Sequence, residues 1–133
     1  MELILLDSSS HQDDVYPYKK VVQWVSTLLD TNFLGRDIII KQLTGAKYEL
    51  DYKYEYLDVK FQTEKCEKYP FDVRVPVELL AKQTNQNIVN ILLHVIDGYA
   101  SILDLNNLDF SDFDGEFSLD DLEYRINDEV KPI

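Results

Sequence analysis

Two histidines, one cysteine and a surplus of carboxylates are the side chains of this 133-residue chain whose types could do chemistry. His11 falls in a polar stretch. His94 sits inside the apolar run Ile88–Ile96, where a lone histidine reads as a structural residue. A histidine base needs a nucleophile and an orienting acid around it, and neither a Ser–His–Asp arrangement nor a nucleophile elbow is present. A deep pocket holding His94 beside an acid would mark a small carboxylate-dependent hydrolase. Cys66 has Lys65 and Lys68 nearby, which would favour its thiolate, but such a loop cysteine reads as incidental. The four glycines are scattered, so no phosphate-cradling loop forms, and zinc-ligand spacing is absent. No catalytic, cofactor-binding or metal-ligating residue is therefore assigned, and no enzymatic activity is expected.

One segment partly overlays a calcium-binding loop. With Gly115 at its sixth position, Asp112, Asp114 and Asp121 fall at the third, fifth and twelfth, and Phe117 at the apolar eighth. The first position, however, is Phe110, which offers no ligand, and the twelfth is Asp where a bidentate Glu is usual. The segment reads better as an acidic turn.

The acids are unevenly placed. From Asp97 onward there are eleven acids against Arg125 and Lys131, so −9 of the net −12 lies in the last third of the chain. Phe110, Phe113, Phe117 and Tyr124 are interleaved with them. Aromatic side chains anchor interfaces, and carboxylates pair with cations on a partner and speed the encounter. Asp109, Phe110, Asp112, Phe113, Asp114, Glu116, Asp120, Asp121 and Glu123 are the candidate partner-binding residues. Some of these aromatics are expected to pin the segment to the domain's own core, Phe117 above all. The partner favoured by this charge is a basic protein, and direct nucleic-acid binding is disfavoured because phosphates need cationic neutralisation.

The elements that position these residues follow from periodicity. Pro17 suits the start of a helix carrying Tyr18, Val21, Val22, Val25, Leu28 and Leu29 on one stripe, and a second helix is expected over 34–43, stopped by Gly45. Period-two alternation then predicts strands over 46–52 and 56–63. The buried parity changes at Tyr54–Tyr56, so a turn or bulge belongs there. Val73, Val75 and Val77 predict a third strand, with Pro76 arguing for an edge or bulge position. Residues 88–96 predict a central strand, Asp97–Gly98 a tight hairpin turn, and 99–105 the returning strand. Ser118 with Asp121 three residues on predicts a capped C-terminal helix reaching about Asn127. The expected fold is α+β: two N-terminal helices on one face of a four- or five-stranded, mainly antiparallel sheet, with a short C-terminal helix.

Length and composition fit one domain over 1–133, with an acidic third over about 97–133. The run Leu3–Leu6 is short and has no basic flank, so neither a secretory signal nor a membrane span is read there and the cytoplasm is the expected compartment.

Arg74-Val75-Pro76-Val77, the segment Asn87 to Val95 and Asp97-Gly98 resemble a small bacterial family with an R-V-P-V … L-L-H-V-x-D-G core after a helix pair. Gln42-Leu43 and Leu57–Phe61 fit the same layout. In type rather than motif, the size, acidity and α+β pattern resemble immunity proteins of polymorphic toxin and contact-dependent growth inhibition systems. That resemblance implies a cytoplasmic protein that occludes the active site of its own toxin domain, often a basic nuclease. The alternatives are an acidic nucleic-acid mimic that inhibits a DNA-binding or defence protein, and the hydrolase above. The sequence is silent on oligomeric state.

Because Phe110 occupies the first ligand position, calcium should bind no more tightly than roughly millimolar. A calorimetric titration showing micromolar affinity would overturn this.

Overall fold

Hydrophobic spacing and turn chemistry account for most of the elements in the computed structural model, which describes residues 6–10, 13–64, 66–82, 87–109, 111–113 and 117–132. Pro17 is the residue that enters α1 (Tyr18–Leu28), and its carbonyl accepts from the N–H groups of Lys20 and Val21. The helix buries Val21, Val22, Trp24, Val25 and Leu28. Its C-terminal end is closed by Arg36, whose guanidinium donates to the carbonyls of Leu29 (3.3 Å) and Thr31 (3.1 Å). Helix α2 (Arg36–Leu43) begins after Gly35, whose φ of 81° and packing against Tyr69 leave no room for a side chain.

Six strands follow: β1 (Lys47–Lys53), β2 (Tyr56–Gln62), β3 (Val77–Lys82), β4 (Ile88–Ile96), β5 (Tyr99–Asn107) and β6 (Leu122–Ile126). They form one antiparallel sheet in the order β1-β2-β5-β4-β3-β6. The parity change at Tyr54–Tyr56 is a hairpin: Lys53 pairs with Tyr56, and Tyr54–Glu55 make the turn. Asp97–Gly98 is the expected tight turn between β4 and β5, with Ile96 paired to Tyr99 and φ of 54° and 87° at its two residues, the positive pair a type I′ turn needs.

One sheet face carries Tyr48, Leu57, Val59, Leu79, Ile91, Leu93, Leu103 and Leu105. These pack with Trp24, Val25 and Leu28 of α1 and Ile39 and Leu43 of α2 into a single core, so both helices cover that face. The other face points outward. On it six acids (Glu49, Asp51, Asp58, Glu78, Asp104, Glu123) meet six bases (Lys47, Lys53, Lys60, Lys82, Arg125 and, from the loop before β3, Arg74). The chain's acidic surplus therefore lies off this face.

Three expectations are corrected. The sheet has six strands, not four or five. The alternation at Val73 and Val75 does not start a strand. Pro76 has no N–H for a ladder, and β3 begins only at Val77, in the sheet interior between β4 and β6. The expected C-terminal helix is instead strand β6, followed by a short 3₁₀ turn at Asp128–Val130. Leu122, Tyr124 and Ile126 alternate with Glu123 and Arg125, and pairing along β3 satisfies backbone groups that a helix would have left exposed at that edge. Ser118 engages Asp120 rather than opening a helix, and Asp121 turns the chain with a φ of 44°. Among the described residues no helix is long and apolar enough to cross a membrane.

Gln42 of α2 is buried, and its side chain is fully engaged. Its amide nitrogen donates to the carbonyls of Glu67 (2.7 Å) and Gly98 (2.9 Å), and its oxygen accepts from the Ala100 N–H (2.8 Å). Gln42→Leu should therefore destabilise the fold by about 2–4 kcal/mol, because it strands one buried N–H and weakens two carbonyls. Urea denaturation of the two proteins measures the difference, and a loss below about 1 kcal/mol would show that water replaces the amide.

Candidate partner-binding surface

The segment joining β5 to β6 runs from the middle of the sheet to its edge, past one end of the core. Its first turn is built by its own side chains. Asp109 accepts from the N–H (3.0 Å) and hydroxyl (2.6 Å) of Ser111, and these bonds hold its carboxyl below the usual range. The buried Asn107 donates its side-chain amide to the Asp112 carbonyl (2.8 Å). Phe113 then donates its N–H to the Tyr54 carbonyl in the β1–β2 turn (2.6 Å). A turn held this way presents its outward carboxylates in a fixed place, which lowers the ordering cost of binding.

An aromatic chain links this segment to the helices. Tyr52 meets Tyr16 edge-on (centroids 5.1 Å apart, planes at 74°), Tyr16 meets Trp24 at 5.9 Å, Trp24 stacks on Phe117 at 6.0 Å, and Phe117 touches Phe113 at 6.0 Å. Phe113 is buried and Phe117 half-buried, so both pin the segment to the core. At the outer end of the chain, Tyr52, Val15 and Tyr54 are exposed, Tyr54 by 83%. Leu108, also exposed, follows the end of β5 whose Asn106 pairs with Tyr56. Beside them lie Asp13, Asp14, Asp109 and Asp112. Asp13 accepts from the N–H groups of Val15 (2.8 Å) and Tyr16 (3.1 Å) and from the Tyr52 hydroxyl.

The candidate residues do not share one surface. Asp109 and Asp112 belong to this acidic, aromatic end. Asp120 lies apart from them, lining a groove with Lys20, Trp24 and Phe117. Asp121 marks the entry to β6, its carbonyl accepting from the Lys82 N–H. Glu123 is on the outward sheet face, 3.4 Å from Arg125. Phe110, Asp114 and Glu116 lie outside the described residues. Asp13, Asp14, Val15, Tyr16, Tyr52, Tyr54 and Leu108 were not singled out from sequence. The readable signal was a tyrosine at the turn of a hairpin, where no core position calls for it.

A second polar group lies on the outward face. Asp51, Asp58 and Asp104 stand directly opposite one another across β1, β2 and β5. Partial burial first, then the Asp104 and Asp51 charges, push the Asp58 carboxyl up to about 6 against the opposing pull of Lys60, and Asp58 shares a hydrogen bond with Asp104. Lys60 meets Asp51 at 3.2 Å. His94 lies 3.8 Å from Asp104 and accepts at Nδ1 from Arg74 (3.2 Å). Its pKa is lowered by burial and then by Arg74, with Asp104 opposing, which favours the neutral ring that this hydrogen bond requires. His94 and an acid are thus neighbours on an outward sheet face, away from the groove beside Trp24. Among the described residues no group of three or more His, Cys, Asp or Glu side chains is arranged to hold a metal ion.

No protein-family model, curated protein or solved structure matches the chain.

The fold favours the protonated form of Asp58, whose unfolded value is near 3.8. Its contribution to stability is complete below that value and is lost as the pH rises through about 6. Asp58→Asn should therefore stabilise the protein at neutral pH by about 1 kcal/mol, after discounting for the solvent that screens a partly exposed pair. The gain should shrink as the pH falls from 7 towards 4. Urea midpoints across that range test this, and destabilisation at neutral pH would refute it.

Proposed function

We propose that this chain is a binding module for a basic protein and acts as an immunity protein, neutralising a cognate toxin domain by covering its active site. The observation that carries the reading is the end of the molecule where Val15, Tyr52, Tyr54 and Leu108 are exposed beside Asp13, Asp14, Asp109 and Asp112. Exposed aromatic and aliphatic side chains supply the contact area that desolvates an interface. Carboxylates around them select a cationic partner and raise the association rate. A nuclease active site, which must attract phosphate, is such a cationic surface. The net charge of −12 supports the same direction. The likeness in size, acidity and α+β pattern to toxin-immunity proteins supports the specific assignment.

Replacing Asp14 and Asp112 together by lysine should leave the fold intact, since both are exposed. Affinity for the toxin domain encoded beside this gene should fall by about tenfold or more, mostly through slower association, and the difference should narrow at high salt. Surface-immobilised toxin domain, at two salt concentrations, gives the rates. A folded variant that binds and protects cells as well as the parent would refute the reading.

A further inference from the structure

The acidic, aromatic end contains a groove of ≈ 620 Å³ lined by Tyr16, Tyr52, Lys53, Tyr54, Asp112 and Phe113. In its lining the buried Tyr16 meets Tyr52 edge to face, with planes at 74°, while Tyr52 and Tyr54 are exposed. Aromatic faces carry negative charge density, so the exposed Tyr52 and Tyr54 rings can attract a cation. The molecule already uses the Tyr16 ring in this way: the Lys20 ammonium lies 6.0 Å from the centre of that ring and 5.9 Å from that of Trp24. A carboxylate, Asp112, completes the lining, and Asp13 accepts from the Tyr52 hydroxyl. Lys53 is the one cation on the lining and works against a positive guest.

We infer that this groove is a receptor for an arginine side chain of the protein partner, the guanidinium seated against Tyr52 and Tyr54 and paired with Asp112. The inference rests on the binding-module reading above and names the group that this surface recognises. Arginine suits the groove better than lysine because its planar, weakly hydrated guanidinium stacks on tyrosine and offers two parallel N–H donors to a carboxylate. A leucine-like side chain would fill the aromatic walls but leave Asp112 facing an apolar group.

The probe is a capped Gly-Arg-Gly peptide, compared with the same peptide carrying citrulline, which keeps the shape and removes the charge. Titration of the isotope-labelled full chain, followed by the ring resonances of Tyr16, Tyr52 and Phe113, reads occupancy of the groove. The arginine peptide should shift these resonances and bind about fivefold or more tightly than the citrulline peptide, as expected for a partly desolvated cation–π and carboxylate contact. Asp112→Asn and Tyr54→Ala, both at exposed positions, should each remove most of that preference, and Lys53→Ala should increase it. Equal binding of the two peptides, preference for a Gly-Leu-Gly peptide, or shifts confined to other parts of the chain would overturn the inference. If the arginine preference holds while the neighbouring toxin domain fails to bind, the receptor stands and the toxin-immunity reading falls. If the toxin domain binds with unchanged affinity to Asp112→Asn and Tyr54→Ala, the receptor falls and the wider docking surface remains.

Discussion

The Gln42 side chain is the constraint on which the arrangement depends. A helix, a tight turn and a long loop converge on its single amide. The β4–β5 ladder shifts register between His94 and Val95, so the end of that hairpin has an irregular set of backbone groups to satisfy. Gln42 takes the Gly98 carbonyl and the Ala100 N–H, while Thr63 donates to the Ala100 carbonyl (2.8 Å) and the Tyr69 N–H donates to that of Gly98 (2.8 Å). With this end anchored to α2, the central pair of strands has one orientation under the helices. Strands β2 and β3 pair to either side of it, and the β1–β2 turn and the β5–β6 segment inherit their positions.

What sequence patterns reveal here follows the range of the interaction involved. The β4–β5 hairpin was legible because an Asp-Gly pair encodes its turn locally and nine apolar-rich residues lead into it. The β1–β2 hairpin was legible through the change of buried parity, although Tyr54-Glu55 has none of the usual turn residues. The strand at Leu122–Ile126 was not, because Leu119, Leu122 and Ile126 also fit a helical stripe, and the decision came from the unpaired edge of β3, some forty residues away in sequence. The acidic and aromatic character of the C-terminal third was readable. Its meeting with Tyr16, Tyr52 and Tyr54 was not, since that meeting is made by a segment crossing the end of the core and anchored to the Tyr54 carbonyl.

The same crossing segment divides the candidate residues between two jobs. Phe113 and Phe117 turn inward and are spent on stability, while Asp109 and Asp112 stay outside on a turn closed by Asn107 and Ser111. Interleaving aromatic and acidic residues along a chain thus yields a segment that grips its own domain with one set of side chains and keeps the other set in solvent.

The outward sheet face, with its equal numbers of acids and bases, has an effect beyond its own neutrality. The two helices carry Lys19, Lys20, Arg36 and Lys41 against Asp37 alone, so the surplus of negative charge lies on the turns and connecting segments and is unevenly placed over the molecule. In the field of a cationic body such a molecule feels a torque. It turns its acidic connecting segments forward before contact, so the angular search that slows most protein encounters is partly completed before the surfaces touch.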